Sequence, residues 1–370
     1  SDVGAGIAIF ATGVLYLIDH LQPWMVIPIN FLISTFVTLM WPAFTASVTL
    51  LVPREQYGRA NGFVQLGEAL PQIAGPALAG ALYVSIHLGN MAMIDFATYL
   101  FSVVLMFLFV RIPRPQQTED GQGARGSIWQ EMRFGWDYII VRKGLFALLM
   151  FFLALNFVTG VIGPLFVPLI LDNWEADVLG YITTIMGVGM LAGTLVMSAW
   201  GGGRRKINTL IGSGAVASMF LTAMGLRISI PLLAVCGFGF MFAIPLLDAS
   251  SQAIWQSKVA ADVQGRVFAI RRAIAWSSQI VAPLLAAPLA DYVFKPGMAE
   301  GGPLAAFLGP IVGVGENHGV GVLIGALGLV AIFVCVLAFL NPHIRNVEID
   351  LPDQDAIRDM SVSRSDQLAD

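Results

Sequence analysis

The chain has 370 residues, of which 57% are hydrophobic and only 12% are charged, whereas roughly 25% of an average soluble domain is charged. This composition and a mean hydropathy of +0.77 exclude an ordinary water-soluble enzyme. The net charge of −4 and the lack of a long basic run exclude the electrostatic footprint of a nucleic-acid-binding protein. Cys236 and Cys335 lie in apolar runs and are too few for a disulfide framework or a thiolate metal site.

The apolar runs predict membrane-spanning helices. A bilayer core of about 30 Å needs about 20 mostly apolar residues per helix, and continuous runs of this length lack the alternation of barrel strands. We therefore predict an all-α membrane protein with ten transmembrane helices in the chain. They lie near 4–19, 24–51, 61–86, 91–110, 145–171, 178–200, 207–226, 230–257, 267–293 and 319–340.

The basic residues predict the orientation of these helices, because short cytoplasmic loops carry an excess of Lys and Arg. Of the 20 Lys and Arg residues, only Arg227 and Lys295 fall on one side of the predicted spans. The other side is therefore predicted to be cytoplasmic. Both ends of the chain lie on that side, which predicts a multi-pass protein of the cytoplasmic membrane with both termini inside the cell.

A polar linker at 111–144 separates the fourth predicted span from the fifth. Within it, apolar residues recur every four positions with charged residues between them, at Ile128, Met132, Trp136 and Ile140. This pattern indicates an amphipathic helix on the inner membrane surface, and a solvated linker helix is the alternative. Residues 341–370 are polar and have no periodicity, so we predict a disordered cytoplasmic tail.

An internal repeat relates the two parts of the chain. Residues 52–82 align with 259–289 at an offset of 207 positions, with nine identities in 31. The first four spans then match the last four, so the two parts are parallel repeats around an axis along the membrane normal. The two middle spans have no counterpart, and we expect two helices before residue 1 in a twelve-span, six-plus-six protein. The predicted domains are an incomplete four-span bundle at 1–110 and a six-helix bundle at 145–340.

Four segments carry a resemblance to a known family: PAFTASVTLLVPREQYGRANGF (42–63), WQEMRFGWDYII (129–140), SAWGGGRRKI (198–207) and AFLGPIVGVGENHGVG (306–321). With the parallel repeat and the long middle loop, they resemble the drug:proton antiporter branch of the major facilitator superfamily, which includes macrolide-efflux and enterobactin-exporter-like proteins. The resemblance extends to about residue 342. It implies a major facilitator fold and export of small amphipathic compounds. The loop WGGGRRK departs from the family pattern because it lacks an acid.

The third predicted span resembles the antiporter motif of that family, Gly-x8-Gly-x3-Gly-Pro-x2-Gly-Gly. Its residues here are Gly62, Pro71, Gly75, Pro76 and Gly80, with Pro71 and Ala79 in place of two glycines. Small residues let a neighbouring helix approach closely, and Pro bends a helix. We therefore expect a close contact between the two halves of the protein, which the resemblance associates with export. A purely structural packing role is the alternative.

Four charged residues are predicted to lie inside the membrane. Glu68 is nine residues past Arg59, roughly 13 Å deep at 1.5 Å per residue, and Asp248 lies at a similar depth from Lys258. An intramembrane carboxyl is costly unless it faces a wet cavity or is protonated, so both are candidates for proton coupling or substrate binding. Arg271 and Arg272 begin the ninth span, and we expect at most one of them to face the cavity. Structural carboxyls and snorkelling arginines are the alternatives.

The same acid-x-x-Gly-Arg turn occurs in both halves on the predicted cytoplasmic side. An arginine there can bond the last carbonyls of the preceding helix, so these turns predict a gate that forms and breaks as the protein changes state. Simple anchoring by positive charge is the alternative. The candidate gate residues are Glu55 and Arg59, Asp262 and Arg266, and also Arg204 and Arg205.

Other kinds of chemistry have no support in the sequence. The four histidines lack ligand spacing and no Gly-x4-Gly-Lys-Ser/Thr loop is present, so we expect no metal, no cofactor and no enzymatic activity. We predict a monomeric secondary transporter that exports small amphipathic compounds by alternating access in exchange for protons. Its partners would be the substrate, protons and membrane lipid, and not nucleic acid. A lipid or lysophospholipid transporter is an alternative, and so is a transport-incompetent membrane scaffold.

Overall fold

The computed structural model describes residues 2–109 and 128–352, without the side chains of 2, 23, 37–39, 41–43, 68, 72–89, 107, 128 and 176. The long elements in these ranges are helices, with a 3-10 turn at Arg54–Gln56 and a π-helical turn at Ala290–Phe294. The helices are α1 (Asp2–Leu17), α2 (Pro23–Leu51), α3 (Tyr57–Phe109), α4 (Ile128–Val141), α5 (Lys143–Leu171), α6 (Ala176–Trp200), α7 (Lys206–Met224), α8 (Ile230–Lys258), α9 (Gln264–Leu289), α10 (Lys295–Met298), α11 (Pro303–Val312), α12 (Glu316–Leu340), α13 (Pro342–Arg345) and α14 (Val347–Asp350).

Six helices of the described ranges are long and apolar enough to cross a membrane. They are α5 to α9 and α12, and they occupy the part of the chain where six spans are predicted. Shorter apolar helical stretches lie at Val3–Leu17, Trp24–Phe36 and Asn90–Met106. The all-helical fold is thus confirmed, while the total of ten spans stays a prediction.

Helix α3 differs from the prediction. It runs unbroken for 53 residues and continues through 87–90, where a break between two separate spans is expected. At 1.5 Å per residue it is about 80 Å long, more than twice the thickness of a bilayer core. The residues at the expected break, 87–90, include no proline, and glycine interrupts a helix far less strongly than proline does.

The two parts of the chain contact each other through α2 and α3. We call α1 to α3 the first half and α5 to α12 the second half. Helix α3 packs against α6 and α8, and α2 packs against α9. Helix α1 packs on the far part of α3, where the Phe10 and Phe96 rings lie 4.7 Å apart. The connections at 52–56, 201–205 and 259–263 lie at the same end of the bundle, because Gly58 lies against Gly201 and Thr49 bonds to Gln264. We call it the basic end.

The second half has two large clusters of buried apolar side chains and a small third one formed by Met298, Val312 and Val322. The cluster towards the basic end joins α4, α5, α7 to α9 and the end of α12, and includes Leu148 and Trp255, both fully buried. The other large cluster lies towards the opposite end and includes Ile170 and Ile324. This half is therefore held together at both ends, and its residues can line a cavity between them.

The C-terminal segment corrects the prediction of a disordered tail, because residues 342–352 dock on the basic end. Val347 and Ile344 are buried. The Glu348 carboxylate accepts hydrogen bonds from the backbone N–H groups of Lys206 (3.1 Å) and Ile207 (3.0 Å), at the start of α7. The buried Lys258 donates to the carbonyls of Glu348 and Leu351. Residues 353–370 of the predicted tail lie outside the described part of the chain.

Replacing Glu348 with alanine is expected to lower the free energy of unfolding by about 0.5–2 kcal/mol, the usual loss for a helix cap. The first N–H groups of α7 lose their acceptor, and the positive end of its dipole loses a negative charge. Thermal unfolding of the purified protein measures the effect. Asp350→Ala is the matched control, since the exposed Asp350 follows two residues later. Equal midpoints for the two variants would show that the cap contributes nothing.

The linker helix α4 is docked on one side and exposed on the other. Tyr138 and Ile139 are buried against the bundle, and Glu131 forms an ion pair with Arg266 of α9 at 3.2 Å. Large apolar side chains on the same helix are exposed, at Trp129, Met132, Trp136, Ile140 and Val141. This two-sided character is compatible with the predicted position on the membrane surface, which stays a prediction.

Candidate functional site

A cavity of about 750 Å³ lies between the two halves. Side chains of α2 and α3 line one wall, and side chains of α5, α7, α8, α9 and α12 line the other. Much of the lining is apolar or aromatic, including Phe152, Leu155, Phe240, Met241, Ile244 and Trp276. Its polar groups include Asn61, Gln65, Asn156, Thr159, Asp248, Gln252, Arg271 and Arg272.

Arg271 is held by one face of α8. Positions 248, 251, 252 and 255 share this face because they are spaced by three, four and seven residues. The guanidinium of Arg271 donates to the Gln252 Oε1 at 2.7 Å and to the Ser251 Oγ at 2.8 Å. It also lies 4.8 Å from the ring centroid of Trp255, a cation–π contact. The hydrogen-bond acceptors and the aromatic ring that contact this guanidinium are therefore uncharged.

Asp248 lies one helical turn before Ser251 on the same face of α8 and lines the cavity. Its carboxylate attracts Arg271 electrostatically. Among the described lining residues Asp248 is the one acid, and Arg271 and Arg272 are the two cations. The described lining thus carries one more positive than negative charge, and protonation of Asp248 would raise that excess.

Arg272 also lines the cavity, so the expectation that at most one of the two arginines faces it is wrong. Successive helical positions point about 100° apart, but both long side chains reach a cavity as wide as this one. The Arg272 guanidinium lies 5.2 Å from the ring centroid of Trp276, one turn further along α9. Both arginines are half-buried, and a role for either of them in transport stays a prediction.

Uncharged amides join the two halves at the basic end. Gln256 Nε2 of α8 donates to the Thr45 carbonyl of α2 (2.9 Å), and Asn61 Nδ2 of α3 donates to Gln256 Oε1 (2.6 Å). Thr49 Oγ1 donates to Gln264 Oε1 (3.1 Å), and Gln264 Nε2 donates to the Gln256 carbonyl (3.1 Å). Asn61, Gln256 and Gln264 are all buried. We call these five residues the amide seam.

The amide seam is absent from the sequence predictions, because those predictions rest on charged residues within the apolar spans. A signal was present. Gln256 and Gln264 flank the turn at 259–263, and Asn61 precedes Gly62 of the predicted motif. Their partners lie on other helices, so only the packing of the halves shows that the three side chains meet.

The six residues of the predicted charged gate lie at different positions around the basic end and do not form one cluster of described ion pairs. Arg59 lies at the contact between the halves, with its side chain against Gly201. Arg266 pairs with Glu131 of the linker helix, and Asp262 is half-buried in the 259–263 turn. The remaining predicted gate residues, Glu55, Arg204 and Arg205, are exposed at the basic end. Their role as a gate stays a prediction.

The first residues of the predicted motif lie at the contact between halves and at the cavity. A Cβ added to Gly62 would lie 2.6 Å from the backbone N of Ser198, so only glycine allows α3 and α6 to approach this closely. Pro71 lines the cavity. The side chains of the other predicted residues of this helix lie outside the described set, namely Glu68, Gly75, Pro76 and Gly80.

No group of three His, Cys, Asp or Glu side chains that could hold a metal occurs in residues 2–109 and 128–352, the undescribed side chains apart. The central cavity has hydrogen-bonding and charged side chains in otherwise apolar walls. Such walls with a few placed polar groups are typical of sites for small organic molecules.

Long apolar helices in two halves around a shared cavity define a multi-pass membrane transporter. Comparison with protein families supports this class, since residues 3–283 match the Major Facilitator Superfamily. The chain belongs to the major facilitator superfamily, a family of transporters that are generally not enzymes. The resemblance to this superfamily found in the sequence is thus confirmed.

Several relatives are efflux proteins by name. Macrolide efflux protein A of Streptococcus pyogenes is 28% identical over 300 residues, which cover 79% of this chain and 73% of that protein. Macrolide efflux protein A of Enterococcus faecalis is 28% identical over 280 residues, covering 74% and 86%. The uncharacterized MFS-type transporter YfiS of Bacillus subtilis is 22% identical over 325 residues, covering 84% and 70%.

Proposed function

We propose that the protein exports small amphipathic compounds, of the macrolide or similar drug type, across the cytoplasmic membrane. The observation that carries this proposal is the cavity of about 750 Å³ between the halves, with its apolar walls and few polar groups. An amphipathic molecule can bury its apolar surface there and direct its polar groups to Asn61, Gln252 or Asp248. The relatives named for macrolide efflux support a small organic substrate rather than a lipid.

The amide seam supports alternating access. It closes the basic end, which we infer to be the cytoplasmic end from the excess of Lys and Arg there. An uncharged hydrogen bond contributes only about 0.5–1.5 kcal/mol net, since water replaces the lost partner. The halves can therefore separate at this end without exposing unpaired buried charges. Glu55, Arg59, Arg204, Arg205, Asp262 and Arg266 would surround the opening as gate residues.

Asp248 and Arg271 support a coupling to protons. When Asp248 binds a proton, its attraction for Arg271 is lost, and Arg271 keeps only its neutral partners. A proton thus changes the relative stability of two arrangements of α8 and α9, which is what coupling requires. We propose the same role for Glu68 in the first half, because its position nine residues past Arg59 predicts that it lies deep in the membrane. The partners of this monomer would be protons, a small amphipathic substrate and membrane lipid.

Glu68→Gln is expected to abolish proton-linked efflux while the protein still folds, because glutamine keeps the shape of the side chain but cannot release a proton. The measurement is substrate-induced proton flux in vesicles that contain the protein, tested with a panel of amphipathic compounds. Glu175→Gln, at the exposed residue before α6, is the control and should keep full flux. Wild-type flux in Glu68→Gln would remove Glu68 from the mechanism.

A further inference from the structure

A second cavity, of about 520 Å³, lies on the side of the second half. We call it the lateral groove. Helices α5 and α12 form its walls, with Phe146, Ala147, Met150 and Ala154 on α5 and Val334 and Leu337 on α12. No described residue lines both this groove and the central cavity. The lateral groove is therefore a separate site, and the transport proposal makes no use of it.

The lateral groove is polar at one end and apolar along its length. Lys143, Asn341 and His343 line the end nearest α13. Ala154 lies 11 residues after Lys143 on α5, about 16 Å further along the helix at 1.5 Å per residue. Half of a bilayer core of about 30 Å is nearly the same length. The groove thus matches one leaflet in depth and in its change from polar to apolar.

The lateral groove opens on the outward surface of the bundle. Leu337, one of its lining residues, is 49% exposed, and its neighbours Phe333 and Leu340 are 60% and 65% exposed. Exposed apolar side chains on a membrane-spanning helix face lipid. The molecules that meet the groove are therefore the lipids of the surrounding leaflet.

The charges at the polar end select the kind of lipid. Lys143 is exposed and no described acid lines the groove. The adjacent Arg142 is already engaged, with its guanidinium 3.4 Å from the Tyr138 ring centroid and bonded to the Tyr138 carbonyl. An ammonium, an imidazole and an amide at the mouth can donate together to phosphate oxygens, as basic pockets between membrane helices do for anionic headgroups.

We propose that the lateral groove binds one anionic phospholipid of the surrounding membrane. One acyl chain lies between α5 and α12, and the phosphate lies between Lys143, Asn341 and His343. This lipid is bound and not transported, because the groove is separate from the central cavity. It contacts α4 through Ile140 and α13 through Ile344, so it ties the linker helix and the C-terminal segment to the second half.

Native mass spectrometry of the purified protein tests this site, with dioleoylphosphatidylglycerol compared against dioleoylphosphatidylcholine. Phosphatidylglycerol is expected to bind more tightly. Lys143→Gln is expected to weaken its binding about fivefold, the effect of one lost positive charge near a membrane surface, and to leave phosphatidylcholine unchanged. Arg133→Gln is the charge-matched control, since the Arg133 side chain is 84% exposed on the linker helix and does not line the groove.

A second variant tests the apolar part of the groove. Ala147→Trp fills the space between α5 and α12 and is expected to reduce the binding of both lipids, with folding checked by size-exclusion chromatography. If Ala147→Trp does not fold, the exposed Lys143 variant still decides. Equal affinities for the two lipids, or unchanged phosphatidylglycerol binding in Lys143→Gln, would overturn the proposal. Displacement of the lipid by millimolar inorganic phosphate would also overturn it, because an ion site needs no acyl chain.

Discussion

Arg271→Gln is expected to reduce efflux about tenfold or more while the protein still inserts in the membrane. Arg271 donates to Ser251 and Gln252 and contacts Trp255, and hydrogen bonds of a charged group contribute roughly 1.5–3 kcal/mol each. A change of 1.4 kcal/mol shifts an equilibrium tenfold. Glutamine cannot make both bonds together or attract Asp248. The measurement is the efflux rate of a fluorescent amphipathic compound from cells with equal amounts of membrane-inserted protein.

Two further variants show whether the effect is specific to this site. Arg271→Lys keeps the charge but lacks the planar pair of donors, so partial activity is expected. Arg227→Gln, at an exposed cation of the connection between α7 and α8, should export at the wild-type rate. If Arg271→Gln does so as well, Arg271 has no part in the transport cycle.

Gly62→Ala is expected to destabilise the protein by about 1–3 kcal/mol, the usual cost of overpacking, and to reduce efflux. The added methyl would lie 2.6 Å from the backbone N of Ser198 and 2.8 Å from its Cα, and backbone atoms cannot turn aside as a side chain can. Helices α3 and α6 must then separate at the basic end, where the amide seam lies next to them. Thermal unfolding and efflux measure the two effects.

Gly67→Ala is the matched control for Gly62→Ala, because it lies in the same helix and an added Cβ there meets no atom within 4 Å. Alanine favours helix by about 1 kcal/mol over glycine, so this variant is expected to be as stable as the wild type or slightly more so. A similar loss in both variants would mean that the contact with Ser198 does not explain the loss in Gly62→Ala, because an added Cβ at Gly67 meets no such contact.

The sequence predicts the spans of the second half well, but it predicts neither the continuous helix α3 nor the docked C-terminal segment. Span positions follow from local composition, so α5 to α9 and α12 lie close to their predicted ranges. The continuous helix α3 and the docked segment 342–352 do not follow from composition. Polar residues such as Glu348 become ordered only because the first turn of α7 and the buried Lys258 lie beside them. Such contacts join residues that are 90 to 142 positions apart in the chain.

In the candidate site, too, the sequence predicts which residues line the cavity but not which atoms they contact. Asp248, Arg271 and Arg272 stand out in the sequence because charges in apolar spans are rare, and all three line the cavity. Which atoms hold Arg271 depends on the rotation of α8 relative to α9, and periodicity within one helix does not define that rotation. The amide seam needs the relative position of both halves, so its hydrogen bonds could not be predicted from the residues alone.

The uncharged chemistry of the amide seam has a consequence for the conditions in which the protein works. At 0.1 M, dissolved ions screen most of the attraction between exposed charges that lie more than about 10 Å apart, but amide and hydroxyl pairs carry no net charge to be screened. Asn61, Gln256 and Gln264 also do not titrate in the physiological range. Changes in the salt concentration around the basic end should therefore leave the strength of these hydrogen bonds nearly constant.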